Sequence, residues 1–375
     1  MKRYLISFHV LVVLLLGLSV LAWLKPADEF STSERRPFAQ FPEVSVKSVL
    51  SGEFTAAFEE YATDQFPFRD DFRTLKAIAK FYVFNQKDNN DIYIYDSQAS
   101  KLDTVMKDNM IENSLQKMNF LYNSFVKGKT DKVYFSVIPD KSHTLAPAGG
   151  YPSLDYEALA NRFKDGLEWA EYIDIYPYLH YSDYYTTDTH WSQDKIVDVA
   201  QVIADKMGAT VEKDLTSVTL DKDFYGVYYG QSSLPLPPDK ITYLTSDIIE
   251  GCEVYNFEKG YDFTTGRYTT VDKVYDMEKL DSKDPYEMFL SGATPLLRIK
   301  NPACDTGRRL IIFRDSYTSS LAPLLLESYS EVILIDIRYM MSTFVGNFVT
   351  ATEFKDADVL FLYSAMILNS SESFR

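Results

Sequence analysis

The chain has 375 residues, 46% hydrophobic and 25% charged, which suits one large globular domain or two smaller ones. Its formal charge of −16 at pH 7 sets the surface as a whole against nucleic acid and other polyanions, leaving room only for a local basic site. Four histidines and two cysteines limit the imidazole and thiol chemistry available.

Lys2 and Arg3 precede an uncharged apolar run from Tyr4 to Leu24, long enough to cross a bilayer of about 30 Å as a helix. A cleavable signal peptide has a shorter apolar core and a small-x-small cleavage site, and LSVLAWLKPADE fits neither. Residues 1–25 therefore read as a signal anchor, with the positive charges cytoplasmic and the rest of the chain outside. Residues 26–46 are polar and proline-punctuated, a juxtamembrane linker. From 47 to about 83 the spacing becomes helical, with Phe54, Phe58 and Tyr61 on one stripe. Pro67 interrupts it within DQFPFRD, where Asp64, Arg69 and Asp70 read as an ion pair or cap.

The remainder, 47–375, is expected to form one α/β domain. Residues 132–138 read as a buried strand ending at Pro139, 156–172 as a helix and 173–175 as a short strand. Residues 192–207 read as a helix with Ser192 at its N-cap and Gly208 past its end. Strands follow at 309–313, 331–337 and 358–363, with a helix at 317–328. This alternation indicates a parallel sheet covered on both faces. The rhythm weakens over 216–302, where Pro235, Pro237 and Pro238 cluster, and irregular β structure is expected at 240–244 and 268–271. That segment reads as an insertion folding over the core.

Cys252 and Cys304 can pair outside the cytoplasm or remain as two buried thiols; the sequence leaves both open. Neither has metal-ligand spacing and no HExxH is present, so no metal is expected.

Of His9, His143, His180 and His190, only His190 has a carboxylate two positions away, in YYTTDTHWSQD. Asp188 can hold one ring nitrogen while the other faces a nucleophile. The plain alternative is that Asp188 caps the next helix and His190 is a satisfied structural residue. Downstream, IIFRDSYTSSLAPLL places Ser316 between a strand and a helix, where a sharp turn exposes Oγ and helix N–H groups face a developing oxyanion. It lacks the GxSxG pattern, and Asp315 or Ser316 acting only as a cap is the competing reading. Arg338 and Lys141 each follow a strand end, where open α/β sheets bind ligands. Arg338 can clamp an acyl or carboxylate oxygen or pair with Asp336, and Lys141 can line the cleft or remain a solvated loop lysine. Trp191 reads as packing behind His190 rather than stacking on a sugar.

The segments SERRPFAQFP, FEEYATDQFPFRD, VIPDK, YYTTDTHW, IIFRDSYTSSLAPLL, VILIDIRYM and DADVLFLYS together resemble the DHHW family, related to the SGNH-hydrolase-like domain of the AlgX/AlgJ polysaccharide O-acetyltransferases. Asp-x-His lies before the serine, the reverse of ordinary SGNH hydrolases. The resemblance therefore implies a permuted SGNH-like α/β/α sandwich with a parallel sheet, a catalytic Ser316–His190–Asp188 set and no bound cofactor. It also implies a polysaccharide acceptor and a multipass membrane O-acyltransferase partner as acetyl source. Thr189 stands where the family motif has histidine, and Arg314 where many SGNH enzymes have glycine. Gly226 and Gly292 are candidates for a second oxyanion donor beside the Ser316 N–H. An acetylesterase with the same residues, or a non-catalytic component of a polysaccharide assembly, are the alternatives.

Overall fold

The computed structural model describes residues 2–375. The chain divides into two compact units. One comprises the residues up to Tyr93 together with Val227–Leu236, and the other Ile94–Gly226 with Pro237–Arg375. The expected boundary at residue 47 thus lies inside the first unit.

In the first unit, helix α1 (Lys2–Leu24) carries the apolar run, and its Tyr4–Leu24 stretch is long and apolar enough to cross a membrane. Helices α2 (Val46–Ser51), α3 (Glu53–Asp64) and α4 (Arg69–Ile78) follow. The break between α3 and α4 falls at Pro67, which lacks the N–H a continuous helix needs. The stripe on α3 closes around Phe41, which meets Phe54, Phe58 and Tyr61 edge-on. Charge holds the turn together: the Arg36 fork takes both Asp64 oxygens at 2.8 and 2.6 Å, and Arg69 reaches Glu34 at 2.6 Å. Hydrogen bonding from Arg36 holds the Asp64 carboxyl below its ordinary pKa.

The second unit is an α/β/α sandwich. Its helices include α5 (Asp108–Leu121), α6 (Tyr156–Gly166), α7 (Val197–Lys206) and α8 (Thr318–Leu321). Its seven-stranded sheet is made from β1 (Val133–Ile138), β2 (Glu171–Tyr172), β3 (Glu253–Asn256), β4 (Leu296–Lys300), β5 (Arg309–Arg314), β6 (Glu331–Ile335) and β7 (Asp358–Ser364). The spatial order is β3-β4-β6-β5-β7-β1-β2. Strands β6, β5, β7, β1 and β2 run parallel, and β4 and β3 add antiparallel at one edge.

The central strands read as unbroken apolar runs because both faces are covered. Leu310, Ile312, Leu334 and Leu362 pack against Val199, Ile203 and Leu321 on one side. Ile311, Phe313, Ile333 and Phe361 pack against Ile111, Leu115, Leu159 and Phe163 on the other.

Several expectations shift in detail. The helix expected at 156–172 ends at Gly166, and the short strand lies at Glu171–Tyr172 rather than 173–175. The expected insertion supplies two strands of the main sheet, β3 and β4, besides a separate hairpin of Thr216–Phe224 with Asp239–Thr245. The helix expected at 317–328 is one α turn, Thr318–Leu321, passing into a 3-10 turn that contains Pro323. Ser192 bonds Asp194 at 2.5 Å instead of capping α7, and a 3-10 turn intervenes before that helix begins. Gly208 does end the helix, at φ +60, a conformation glycine adopts without Cβ strain.

Candidate active site

Lys141, Ser316, Arg338 and the end of β7 all lie at the carboxyl edge of the parallel strands, where sheets of this kind bind ligands. Ser316 stands two residues past β5, held by Asp315. The fully buried Asp315 carboxylate accepts the N–H of Ser364 at 2.7 Å and of Tyr317 at 3.1 Å, pinning the turn to the neighbouring strand. Ser316 itself is half-buried, so its hydroxyl is held yet reachable. Its N–H has no acceptor among the described residues, leaving it able to meet an oxyanion.

His190 Nε2 lies 2.9 Å from Ser316 Oγ, and its Nδ1 lies 2.6 Å from Asp188 Oδ1. A carboxylate only accepts, so Nδ1 carries the proton and Nε2 accepts from the serine. The same Asp188 oxygen takes the His190 backbone N–H at 3.0 Å, which sets ring and carboxylate together. Both side chains are buried, Asp188 at 1% exposure.

A tight loop presents this pair. Tyr184 bridges Trp191, and Tyr185 donates its N–H to the His190 carbonyl at 3.1 Å. Asp239 grips the loop through the Thr186 N–H at 2.7 Å, the Thr187 N–H at 2.8 Å and the Thr187 hydroxyl at 2.6 Å. Lys141 braces it from below: its Nζ donates to the carbonyls of Tyr185 (2.5 Å) and Thr186 (3.2 Å). Burial pulls the Lys141 pKa from 10.5 down to about 7, against the pull of Asp239, Asp188 and Asp140.

Aromatic rings fix the imidazole plane. Tyr286 stacks on His190 with centroids 3.9 Å apart and planes 9° apart, and Tyr317 lies at 4.9 Å. The Tyr286 hydroxyl shares a hydrogen bond with Ser320 at 2.8 Å. Trp191 is fully buried and donates Nε1 to Ser320 Oγ at 2.9 Å, so it packs behind the site as expected and offers no face to a sugar. The other histidines stand elsewhere. His143 meets Tyr156 edge-on and Tyr176 at a tilt, His180 caps a 3-10 turn through Ser182, and His9 lies on α1.

The two glycines do not serve as the expected oxyanion donors. The Gly226 N–H is spent on Thr187 Oγ1 at 2.9 Å, and the Gly292 N–H on the Phe289 carbonyl at 3.2 Å. Gly226 is required for another reason: a Cβ there would lie 2.3 Å from Asp188 Cβ and 2.4 Å from its Cα. Lys141 is 1% exposed rather than a cleft or solvated residue. Arg338 makes the ion pair rather than an open clamp, its Nε and Nη2 taking both Asp336 oxygens at 2.6–3.2 Å. Arg314 is fully buried and donates to Ser319 Oγ at 2.7 Å, which explains a long cation where a glycine was the comparison. Tyr286 and Asp239 carry no sequence signal of their own; both come from the weakly patterned segment. The two cysteines are free thiols.

No family model matches the chain, and no curated protein matches it. Solved structures do. A DHHW family protein from Eubacterium siraeum aligns at 19% identity and TM-score 0.62, over 76% of this chain and 95% of that one. PatB1 from Bacillus cereus aligns at 20% identity and TM-score 0.56, over 74% and 96%. The same protein with a sulfonyl adduct aligns at 21% identity and TM-score 0.54, over 74% and 95%. The chain shares its fold, over about three quarters of its length, with a DHHW family protein and with PatB1.

Proposed function

We propose that the protein is a membrane-anchored, extracytoplasmic O-acetyltransferase acting on a polysaccharide through an acyl-serine intermediate. The observation that supports this most directly is the unbroken relay from Ser316 Oγ to His190 Nε2 and from Nδ1 to Asp188, at 2.9 and 2.6 Å. In this reading Ser316 Oγ bonds to the acyl carbon of an acetyl ester or thioester while its proton passes to Nε2. The imidazolium, stabilised by Asp188, returns that proton to the leaving group as the donor bond breaks. A sugar hydroxyl then gives its proton to Nε2 and takes the acetyl group, and the proton moves back to Ser316. The Ser316 N–H stabilises each oxyanion. As the resemblance to the DHHW family implies, a multipass membrane partner would supply the acetyl donor.

Incubating the protein with an activated acetyl ester, then digesting it for mass spectrometry, tests the nucleophile. Acetyl is expected on Ser316 and absent in His190→Ala. A sulfonyl fluoride should modify the same serine. Adding glycan separates transfer from hydrolysis: acetylated sugar supports the transferase, and free acetate alone supports an esterase. Unaltered polysaccharide acetylation in cells carrying Ser316→Ala would favour a non-catalytic role over both.

A further inference from the structure

Helix α4 and the turn after it turn apolar side chains away from the unit they belong to. Ala77 is the buried residue of α4. Phe68, Phe72 and Leu75, spaced i, i+4 and i+7, lie on the opposite face and are 60%, 45% and 61% exposed. Tyr82 and Val83 extend the stripe at 80% and 72% exposure. An apolar row on the outer face of an amphipathic helix is costly in water, roughly 25 cal/mol for each Å² left uncovered.

Charge selects the cover. Lys76 and Lys80 run along one flank of the row; of the four basic side chains in residues 68–83, Arg69 and Arg73 are already paired with Glu34, so these two lysines are the charge offered outward. A cavity of about 780 Å³ opens beside the row, with Phe66 and Phe72 as apolar wall and Glu34, Glu59, Arg73 and Lys76 as a mixed charged wall in which Arg73 is paired with Glu34. Apolar side chains flanked by lysine are the make-up of helices that lie in the headgroup layer of a bilayer. The tether adds concentration: only the residues from Lys25 to Phe68 separate α1 from this helix.

We infer that α4 and the following turn lie flat on the surface of the membrane that α1 crosses, burying Phe68, Phe72, Leu75, Tyr82 and Val83 among acyl chains while Lys76 and Lys80 meet anionic headgroups. The inference rests on reading α1 as the anchor.

The test uses the full chain, with Cys252→Ser and Cys304→Ser, reconstituted in nanodiscs of phosphatidylcholine and phosphatidylglycerol. An environment-sensitive fluorophore is placed on Leu75→Cys or, as control on the same helix, on Asp70→Cys. Nitroxide-bearing lipids should quench the Leu75 probe about threefold more than the Asp70 probe, less so in phosphatidylcholine alone. Phe72→Asp should abolish quenching of a probe on Val83→Cys while the chain stays in the disc. Equal quenching at Leu75 and Asp70, or a probe response that depends on protein concentration and not on nitroxide lipid, overturns the inference and leaves the anchor standing. Failure of the chain to enter the discs overturns both.

Discussion

Replacing Asp188 by asparagine probes the central claim about the imidazole, because shape is kept while charge is lost. Asp188 Oδ1 holds both the Nδ1–H, at 2.6 Å, and the backbone N–H of His190, at 3.0 Å. An amide oxygen can occupy the same place, so the ring and its tautomer are retained. What disappears is the attraction between the carboxylate and the imidazolium formed as Ser316 is deprotonated. Two unit charges about 4 Å apart at the edge of a protein interior interact by about 4 kcal/mol. At about 1.4 kcal/mol per decade, that lowers acyl-enzyme formation about a thousandfold. The assay is the burst of p-nitrophenol from p-nitrophenyl acetate, with Ser316→Ala as the floor. A fall smaller than about tenfold would refute the reasoning, since the carboxylate would then not be stabilising the charged ring.

Three further outcomes follow from the packing. Gly226→Ala forces a methyl group to within 2.4 Å of the Asp188 backbone, so thermal unfolding should reveal a loss of about 1–3 kcal/mol together with a collapse of activity. Tyr286→Phe keeps the ring on His190 and loses only the Ser320 bond, about 1 kcal/mol of stability. Tyr286→Ala removes the ring as well and should cut turnover about fivefold, a stacked pair being worth about 1 kcal/mol. Burial lowers the Lys141 pKa to about 7, whereas the unfolded chain keeps that proton up to about 10.4. Between these values the unfolded state binds more protons, so this group makes stability rise with pH. Denaturant titrations of wild type and Lys141→Met should therefore diverge in favour of wild type from pH 7 to 10. A constant difference across that window would show that Lys141 does not change protonation on folding.

Local chemistry made several elements legible. The strands β5, β6 and β7 are continuous apolar runs because they are covered on both faces, and such runs are readable without any partner. Pro67 and Gly208 end helices for backbone reasons that do not depend on the rest of the chain. The Asp188–Thr189–His190 motif is three residues long and can be recognised whole. Other features depend on contacts between distant parts of the chain. Lys141 looks like a loop lysine until the fold lays the Tyr185 and Thr186 carbonyls across it. Gly226 offers an N–H on paper, and only the crossing of Asp188 shows why a side chain is not tolerated. β3 and β4 sit in a stretch with proline clusters and mixed polarity, since edge strands paired antiparallel need no unbroken apolar run.

The sequence by itself determined the apolar N-terminal helix, the alternation that makes an α/β sheet, and which serine, histidine and aspartate were candidates for the site, because each depends on neighbours within a few residues. Only the tertiary structure decided that Ser316 and His190, 126 residues apart, meet at 2.9 Å. It also decided that Tyr286 covers the ring and that Arg338 belongs to Asp336. Those contacts depend on strand order and loop closure, which are set by the packing of both sheet faces together and leave no periodic trace in the chain.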